Sequence, residues 1–137
     1  MRNIMEKLNT IQKQNKLNDV YRMDAPGAGG ASHNYVIVKE GAKRSDRCAG
    51  YLDFDMDDIV GTINFQHGPR AEESSVHGVL DTDLLEIVRD RLKAFNQGEY
   101  ATRENALAIT HIEEALLWMN KRVEDRAERG VLGTTQK

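Results

Sequence analysis

The residues best suited to binding chemistry are three arginines near the C-terminus. Arg122, Arg126 and Arg129 stand at i, i+4 and i+7, so a helix would place them on one face. Guanidinium groups arranged in this way suit bidentate recognition of phosphate, or stacking on a base. The helix dipole also favours arginine near any helix C-terminus, so an ordinary structural role stays open for all three.

Other side chains could complete a nucleotide pocket. Phe95 could offer a ring for stacking on a base, and Asn105 can donate and accept at a base or ribose edge. Taken singly, Phe95 is as well explained by a core position and Asn105 by a local helix cap. Arg70 adds a possible phosphate ligand in a linker. Free backbone amides in the tail 130–134 could also hydrogen-bond phosphate.

Catalytic patterns are lacking in the sequence. The glycine-rich stretch 27–30 follows no predicted strand and has no Gly-Lys-Ser/Thr ending, which favours a loop over a phosphate-cradling motif. Cys48 is the single cysteine and has no local signature of a nucleophile. The four histidines share no metal-ligand spacing: His33, His67, His77 and His111. We therefore expect a protein that is not an enzyme and that needs no metal and no cofactor.

Composition narrows the class of protein further. A chain of 137 residues is expected to form one compact domain with a modest core, so self-association would bury useful surface. The formal net charge of −3 disfavours non-specific binding to DNA. The N-terminus lacks a signal-peptide apolar region, and no stretch is apolar enough to span a bilayer. These features predict a cytoplasmic protein that is neither secreted nor embedded in a membrane.

The first half of the chain predicts a small sheet. Residues 4–17 predict a weak helix or an ordered arm, and the glycine-rich loop up to residue 32 separates this arm from the body. A strand is then predicted over His33 to Lys39 from its β-branched and aromatic residues. Two more are predicted over Cys48 to Phe54 and Asp58 to Phe65 from their length and the turns before them, which gives a three-stranded antiparallel meander. The predicted domains are residues 1–32 as the arm and 33–137 as a single domain, with its sheet at 33–66.

The second half predicts a helical hairpin over residues 81–130. Its first helix begins near Asp81 or Thr82, either of which could cap it, and ends at Gly98; its second begins with Thr102 as N-cap. The second helix would be roughly 40 Å long, longer than the first helix can cover. The predicted fold class is therefore α+β, a small antiparallel sheet followed by a long helical hairpin. The uncovered end and the apolar seam predict a homo-oligomer. That seam is formed by Leu84, Leu85, Val88, Leu92 and Phe95 of the first helix and by Ile109, Ile112, Leu116, Met119 and Val123 of the second.

Five segments of the second half resemble a known family. The sequence is similar to phage proteins that sequester cyclic-nucleotide immune signals, the Thoeris anti-defence and anti-CBASS sponges, which share a helical hairpin domain. The predicted sheet ahead of the hairpin resembles the Thoeris branch more closely. The matching segments are residues 65–69, 84–95, 103–110, 113–120 and 129–134.

The resemblance implies a non-catalytic sponge in the cytoplasm of the infected bacterial host. Such a protein binds glycocyclic ADP-ribose isomers and withholds them from the host effector. In that branch the pockets form between protomers. The matching positions here are Arg70, Phe95 as the adenine platform, Asn105, Arg122 and Arg126.

The resemblance also implies hexamers with a second pocket, for cyclic trinucleotides, at three-fold contacts. Its residues here would be Arg129, Gly130, Gly133 and Thr134, while Leu132 stands where a polar or acidic residue is expected. From the residues alone, two other functions stay open: an enzyme that degrades the signal, and a regulator that binds a protein or nucleic-acid partner.

Overall fold

In the part of the chain that the structure describes, a four-stranded antiparallel sheet is followed by two helices, as the α+β prediction requires. The computed structural model describes residues 5–27, 29–44, 53–69 and 71–135. The chain divides into two compact units, residues 1–67 with the sheet and residues 68–137 with the hairpin.

The sheet is a meander in chain order. Strands β1 (Glu6–Lys7), β2 (Asn18–Arg22), β3 (Asn34–Lys39) and β4 (Ile59–Asn64) are neighbours in that sequence, and every pair is antiparallel. Alternation along β3 sends Val36 and Val38 to one face, where both are fully buried. They form the core of this unit with Met23 and Phe54.

The structure corrects the predicted elements of the first half. Residues 4–17 were open to two interpretations, and the weak helix is wrong, because this segment contains β1 and no helix in its described residues. The predicted strand Cys48 to Phe54 falls largely outside the described residues. Of its described residues, Asp53 has a φ of 54°, which no β-strand adopts, and Phe54 enters the core from a bend. The length of the segment between two turns had suggested a strand, whereas its described end supplies a buried ring from a bend.

The charged side chain of Asp19 is buried in the sheet unit. The Asp19 side chain on β2 accepts a hydrogen bond from the Gly41 backbone N–H at 3.0 Å and lies 3.3 Å from Lys16 Nζ and 3.5 Å from Lys7 Nζ. The Gly41 hydrogen bond is the main reason that the pKa of Asp19 lies below its ordinary value of 3.8, and the two lysines add to this shift while burial opposes it. Asp19 therefore ties β2 to the turn after β3 as a carboxylate.

The hairpin consists of α1 (Asp81–Asn96) and α2 (Arg103–Glu128). The predicted capping of α2 is confirmed, since Thr102 Oγ1 accepts a hydrogen bond from the Asn105 backbone N–H at 3.0 Å. The predicted cap of α1 is wrong: the N-cap is Leu80, whose backbone N–H donates to Asp83 Oδ2 at 2.8 Å. The Asp83 carboxylate therefore acts from within the first turn, where the helix dipole also favours negative charge.

The two helices are joined by polar contacts at the loop and at mid-length. Asn96 Oδ1 accepts from the Thr102 backbone N–H at 3.0 Å, and Arg89 Nε donates to Glu113 Oε2 at 2.7 Å. The hydrogen bond to Glu113, with Glu86 adding to it, raises the pKa of Arg89 above its ordinary value. In these two helices no side chain is buried within the chain, although Val88, Phe95 and Val123 belong to the predicted seam.

The Thr102 cap gives a stability prediction. Thr102→Ala leaves the Asn105 N–H without its acceptor, so we expect unfolding to become easier by about 1 kcal/mol in urea titration. Thr110→Ala is the matched control, because the Thr110 hydroxyl only donates back to the Ala106 carbonyl at 3.1 Å within the helix, a bond that adds little. Equal losses in both variants would contradict the capping role.

Asp19 gives a pH prediction. A carboxyl group whose pKa is depressed in the folded state stabilises it at pH above the unfolded value, and the stabilisation is lost as the pH falls through the folded value. We expect Asp19→Asn to lose about 1 to 3 kcal/mol at pH 7, and the gap to the unmodified protein to close below pH 3.8. The exposed Asp57→Asn variant serves as control. A gap that is constant with pH would contradict this account.

Candidate functional site

The C-terminal half of α2 presents a polar face with one large aromatic ring. Trp118, Arg122, Asp125 and Arg129 follow each other at i, i+4, i+7 and i+11, which places them on one stripe of the helix, and all four side chains are exposed. An open recess of about 830 Å³ lies along this face. Its lining residues are Trp118, Lys121, Arg122, Asp125, Arg126, Glu128 and Arg129.

The predicted arginines differ in how far their guanidinium groups are engaged. Among the described residues, neither Arg122 nor Arg129 pairs its side chain with a carboxylate. The nearby Asp125 carboxylate is instead held by Lys121 Nζ at 3.3 Å. Arg122 therefore presents an exposed cation that no ion pair has to release before an anion binds.

Arg126 is engaged with the chain that follows its own helix. Its Nη2 donates to the Val131 carbonyl at 3.0 Å and to the Thr134 carbonyl at 3.1 Å. The Val131 carbonyl also accepts from the Thr134 hydroxyl at 2.6 Å, which closes a turn over residues 131–134. Arg126 thus orders the tail through one nitrogen, a role that its position on the arginine face did not predict.

The residues predicted for a second pocket lie in a helix-ending motif. The Val131 N–H donates to the Arg126 carbonyl at 3.0 Å and the Gly130 N–H to the Ala127 carbonyl at 3.1 Å, the pair of bonds that defines a Schellman ending. Gly130 has a φ of 72°, which residues other than glycine adopt only at a cost. The N–H groups of Gly130 and Val131, which the sequence suggested as phosphate donors, are therefore used within the helix ending.

Phe95 and Asn105 lie at the other end of the hairpin, beside the loop. Phe95 is 45% exposed, and the Arg91 guanidinium lies over its ring, with Cζ 5.5 Å from the centroid. Asn105 Nδ2 donates to the Tyr100 carbonyl at 3.3 Å. The Phe95 ring is therefore available on its remaining surface, whereas the amide nitrogen of Asn105 is occupied by the loop.

One chain does not bring the predicted ligand residues together. Asn105 and Arg122 lie on the same straight helix, and at a rise of roughly 1.5 Å per residue they are about 26 Å apart along its axis. Phe95 lies at the Asn105 end. Arg70, the remaining predicted ligand residue, lies outside the described residues.

The structure adds two residues to the candidate surface that sequence reasoning had left without a role. Trp118 is 66% exposed in the recess, and Arg91 lies over the Phe95 ring. In both cases the available signal was a spacing of four residues, from Trp118 to Arg122 and from Arg91 to Phe95, which stacks side chains on one helical face.

The sheet unit carries a pair of stacked histidines. The His33 and His67 rings lie 4.1 Å apart at an angle of 21°, and the Asp24 carboxylate accepts from the backbone N–H groups of His33 and Asn34 at 3.0 Å each. A Cβ added to Gly27 would meet His33 Cε1 at 2.9 Å, so the loop packs directly on this ring. These contacts hold the His33 ring between His67 and the loop at Gly27.

Two further observations concern metal binding and membrane spanning. In the described ranges, no group of three or more His, Cys, Asp or Glu side chains is placed to hold a metal ion. Of the helices that the structure describes, none combines the length and the apolar character needed to cross a bilayer.

Comparison with known proteins identifies relatives of most of this chain. Residues 57–124 match the family model described as Acb2/Tad1, hairpin domain. The chain is also 40% identical over 116 residues to a curated protein named Thoeris anti-defense 1, from Bacillus phage SBSphiJ7, in a match that covers 78% of this chain and 81% of the relative. That match is too long to lie in the hairpin alone, so it includes part of the sheet unit.

The contacts of Arg126 give a prediction about the tail. Arg126→Ala removes both side-chain bonds to the Val131 and Thr134 carbonyls, so we expect faster amide hydrogen exchange in residues 130–135 with little change in α1. Arg122→Ala is the matched control, since it removes an arginine one turn away that makes no bond to the tail. Unchanged exchange in the Arg126 variant would show that the Schellman ending alone orders the tail.

Proposed function

This chain belongs to the Acb2/Tad1 hairpin family, and we propose that it acts as a sponge in phage anti-defence. In this proposal it binds glycocyclic ADP-ribose isomers in the cytoplasm of the infected bacterium and withholds them from the Thoeris effector. It performs no chemistry on the ligand. The ligand-binding residues are Arg70, Phe95, Asn105, Arg122 and Arg126.

The extent of the similarity supports the Thoeris branch over the anti-CBASS branch. A match confined to the shared hairpin would fit both branches equally. The match to the protein named Thoeris anti-defense 1 covers 78% of this chain, whereas the hairpin match begins only at residue 57. The shared sheet therefore favours an ADP-ribose isomer as the main ligand.

The observation that carries the proposal is the unpaired cation of Arg122 on an exposed face of α2. Binding a phosphate at an arginine that is already ion-paired would first require that pair to break. Among the described residues Arg122 has no such pair, and Lys121 holds the neighbouring carboxylate of Asp125. A sponge needs affinity and slow release without transition-state complementarity, and preorganised guanidinium groups provide both.

The same proposal requires a homo-oligomer. Phe95 can share a ligand with Arg122 only if the two come from different copies, because about 26 Å separate the two ends of α2. The hairpin also leaves much apolar surface uncovered in one chain, with no side chain of α1 or α2 buried. Two copies in opposite directions would bring each Phe95 towards the other's Arg122. The family resemblance extends such pairs to a hexamer.

We extend the proposal to a second, cyclic trinucleotide pocket at the tail, formed by Arg129, Gly130, Gly133 and Thr134. In support, Arg129 is exposed and has no ion pair among the described residues, and the positive φ values of Gly130 and Gly133 hold the tail in a defined turn. The apolar Leu132 replaces an expected polar contact, so this pocket is proposed to bind more weakly than the first.

Calorimetry on two substitutions tests the first pocket. Arg122→Ala removes a charged hydrogen-bond donor and Phe95→Ala removes the ring, so each should weaken binding of a glycocyclic ADP-ribose isomer by about ten-fold or more. Arg103→Ala is the charge-matched control at the start of α2, and Phe95→Tyr keeps an aromatic ring; both should bind normally. Unchanged affinity in both alanine variants would reject the pocket.

Recovery of the bound ligand separates a sponge from an enzyme. The unmodified protein is saturated with the isomer, washed free of excess, heat-denatured, and the released molecule is analysed by mass spectrometry and chromatography. The proposal expects the intact isomer in stoichiometric amount. Recovery of an altered product would show that the protein is an enzyme and not a sponge. If the washed protein retains no ligand, sequestration is contradicted.

A further inference from the structure

We propose that Trp118 is a second base-stacking surface of the Arg122 pocket, so that the base of the ligand lies against an indole as well as against Phe95 of another copy. This inference rests on the proposed function and adds a residue to its site. It assigns a role to the one large aromatic side chain in the recess of α2.

The position of Trp118 is unusual for a structural tryptophan. Its side chain is 66% exposed, on the same stripe of α2 as Arg122. Tryptophan usually buries most of its large apolar surface, so an indole exposed to this extent is available to a binding partner. Inside the recess, that partner has to be compatible with the polar side chains that form the remaining lining.

The surroundings of Trp118 favour a nucleotide over an apolar partner. Arg122 lies one turn further along the same stripe, about 6 Å along the helix axis. That spacing suits a base on the indole and its phosphate on the guanidinium. The nearest carboxylate on the stripe, Asp125, is held by Lys121 at 3.3 Å, so it opposes the phosphate less than a free carboxylate would.

The two aromatic surfaces would act on the same base from opposite sides. Within one chain, Trp118 is at mid-helix and Phe95 is near the loop, so both can contact one base only when different copies supply them. Stacking on each face is worth a comparable amount, because every base has two π-faces. Enclosure between rings would also exclude water from the phosphate contacts and slow the release of the ligand.

The chain offers a direct measurement, because Trp118 is its single tryptophan. A glycocyclic ADP-ribose isomer is titrated into the full-length protein while indole emission is recorded, and affinity is measured in parallel by calorimetry. We expect quenching that saturates at the calorimetric stoichiometry. Trp118→Ala should lose about ten-fold or more in affinity, while Trp118→Phe should retain most of it.

Leu117→Ala is the matched control. Leu117 is 71% exposed and adjacent in sequence, but it does not line the recess, so this variant should bind like the unmodified protein. Native mass spectrometry of each variant without ligand reports the number of subunits.

Three results would overturn the inference. Normal calorimetric binding with no change in indole emission, together with normal binding by Trp118→Ala, would remove Trp118 from the pocket while leaving the proposed function intact. A changed subunit number in Trp118→Ala without ligand would make the indole a contact between copies. Absence of any binding by the unmodified protein would reject the proposed function, and this inference with it.

Discussion

The difference in length between the two helices is the constraint on which the candidate site depends. The Arg89–Glu113 contact sets the pairing of α1 with α2, so the end of α2 beyond about Lys121 extends past the start of α1. Side chains on that end are not covered by a partner helix within the hairpin. The extension therefore leaves Arg122 and Arg129 exposed, and the chain turns back there to build its ordered tail.

Charged groups have different uses in the two units. In the sheet unit, Asp19 is buried, accepts a hydrogen bond from the Gly41 backbone N–H and lies within 3.5 Å of two lysines, which makes it a fixed structural group. In the hairpin, Arg89 is used to hold the two helices together, while Arg122 and Arg129 are left available. Arg126 lies between these cases, since one of its nitrogens is bound to the tail while its position on the helix still faces the recess.

The sequence predicted the hairpin well because its signals are local. The Thr102 cap, the glycine at Gly130 and the apolar spacing each depend on residues within a turn or two, so both helices could be placed closely, with the N-cap of α1 predicted one or two residues late. The N-terminal strands were missed because Glu6–Lys7 and Asn18–Arg22 are stabilised by pairing across the chain and not by their own composition. Candidate ligand residues could be named from residue type, but the tail contacts of Arg126 required coordinates.

Strand β1 affects how soluble the protein is at high concentration. At this edge the sheet ends in only two residues, both charged, with Glu6 held by Arg22 at 2.8 Å. A short charged edge is a poor template for another strand, which limits open-ended aggregation. A protein that neutralises a messenger mole for mole must become as abundant as that messenger, so on the proposed function solubility at high copy number is a requirement that this edge helps to meet.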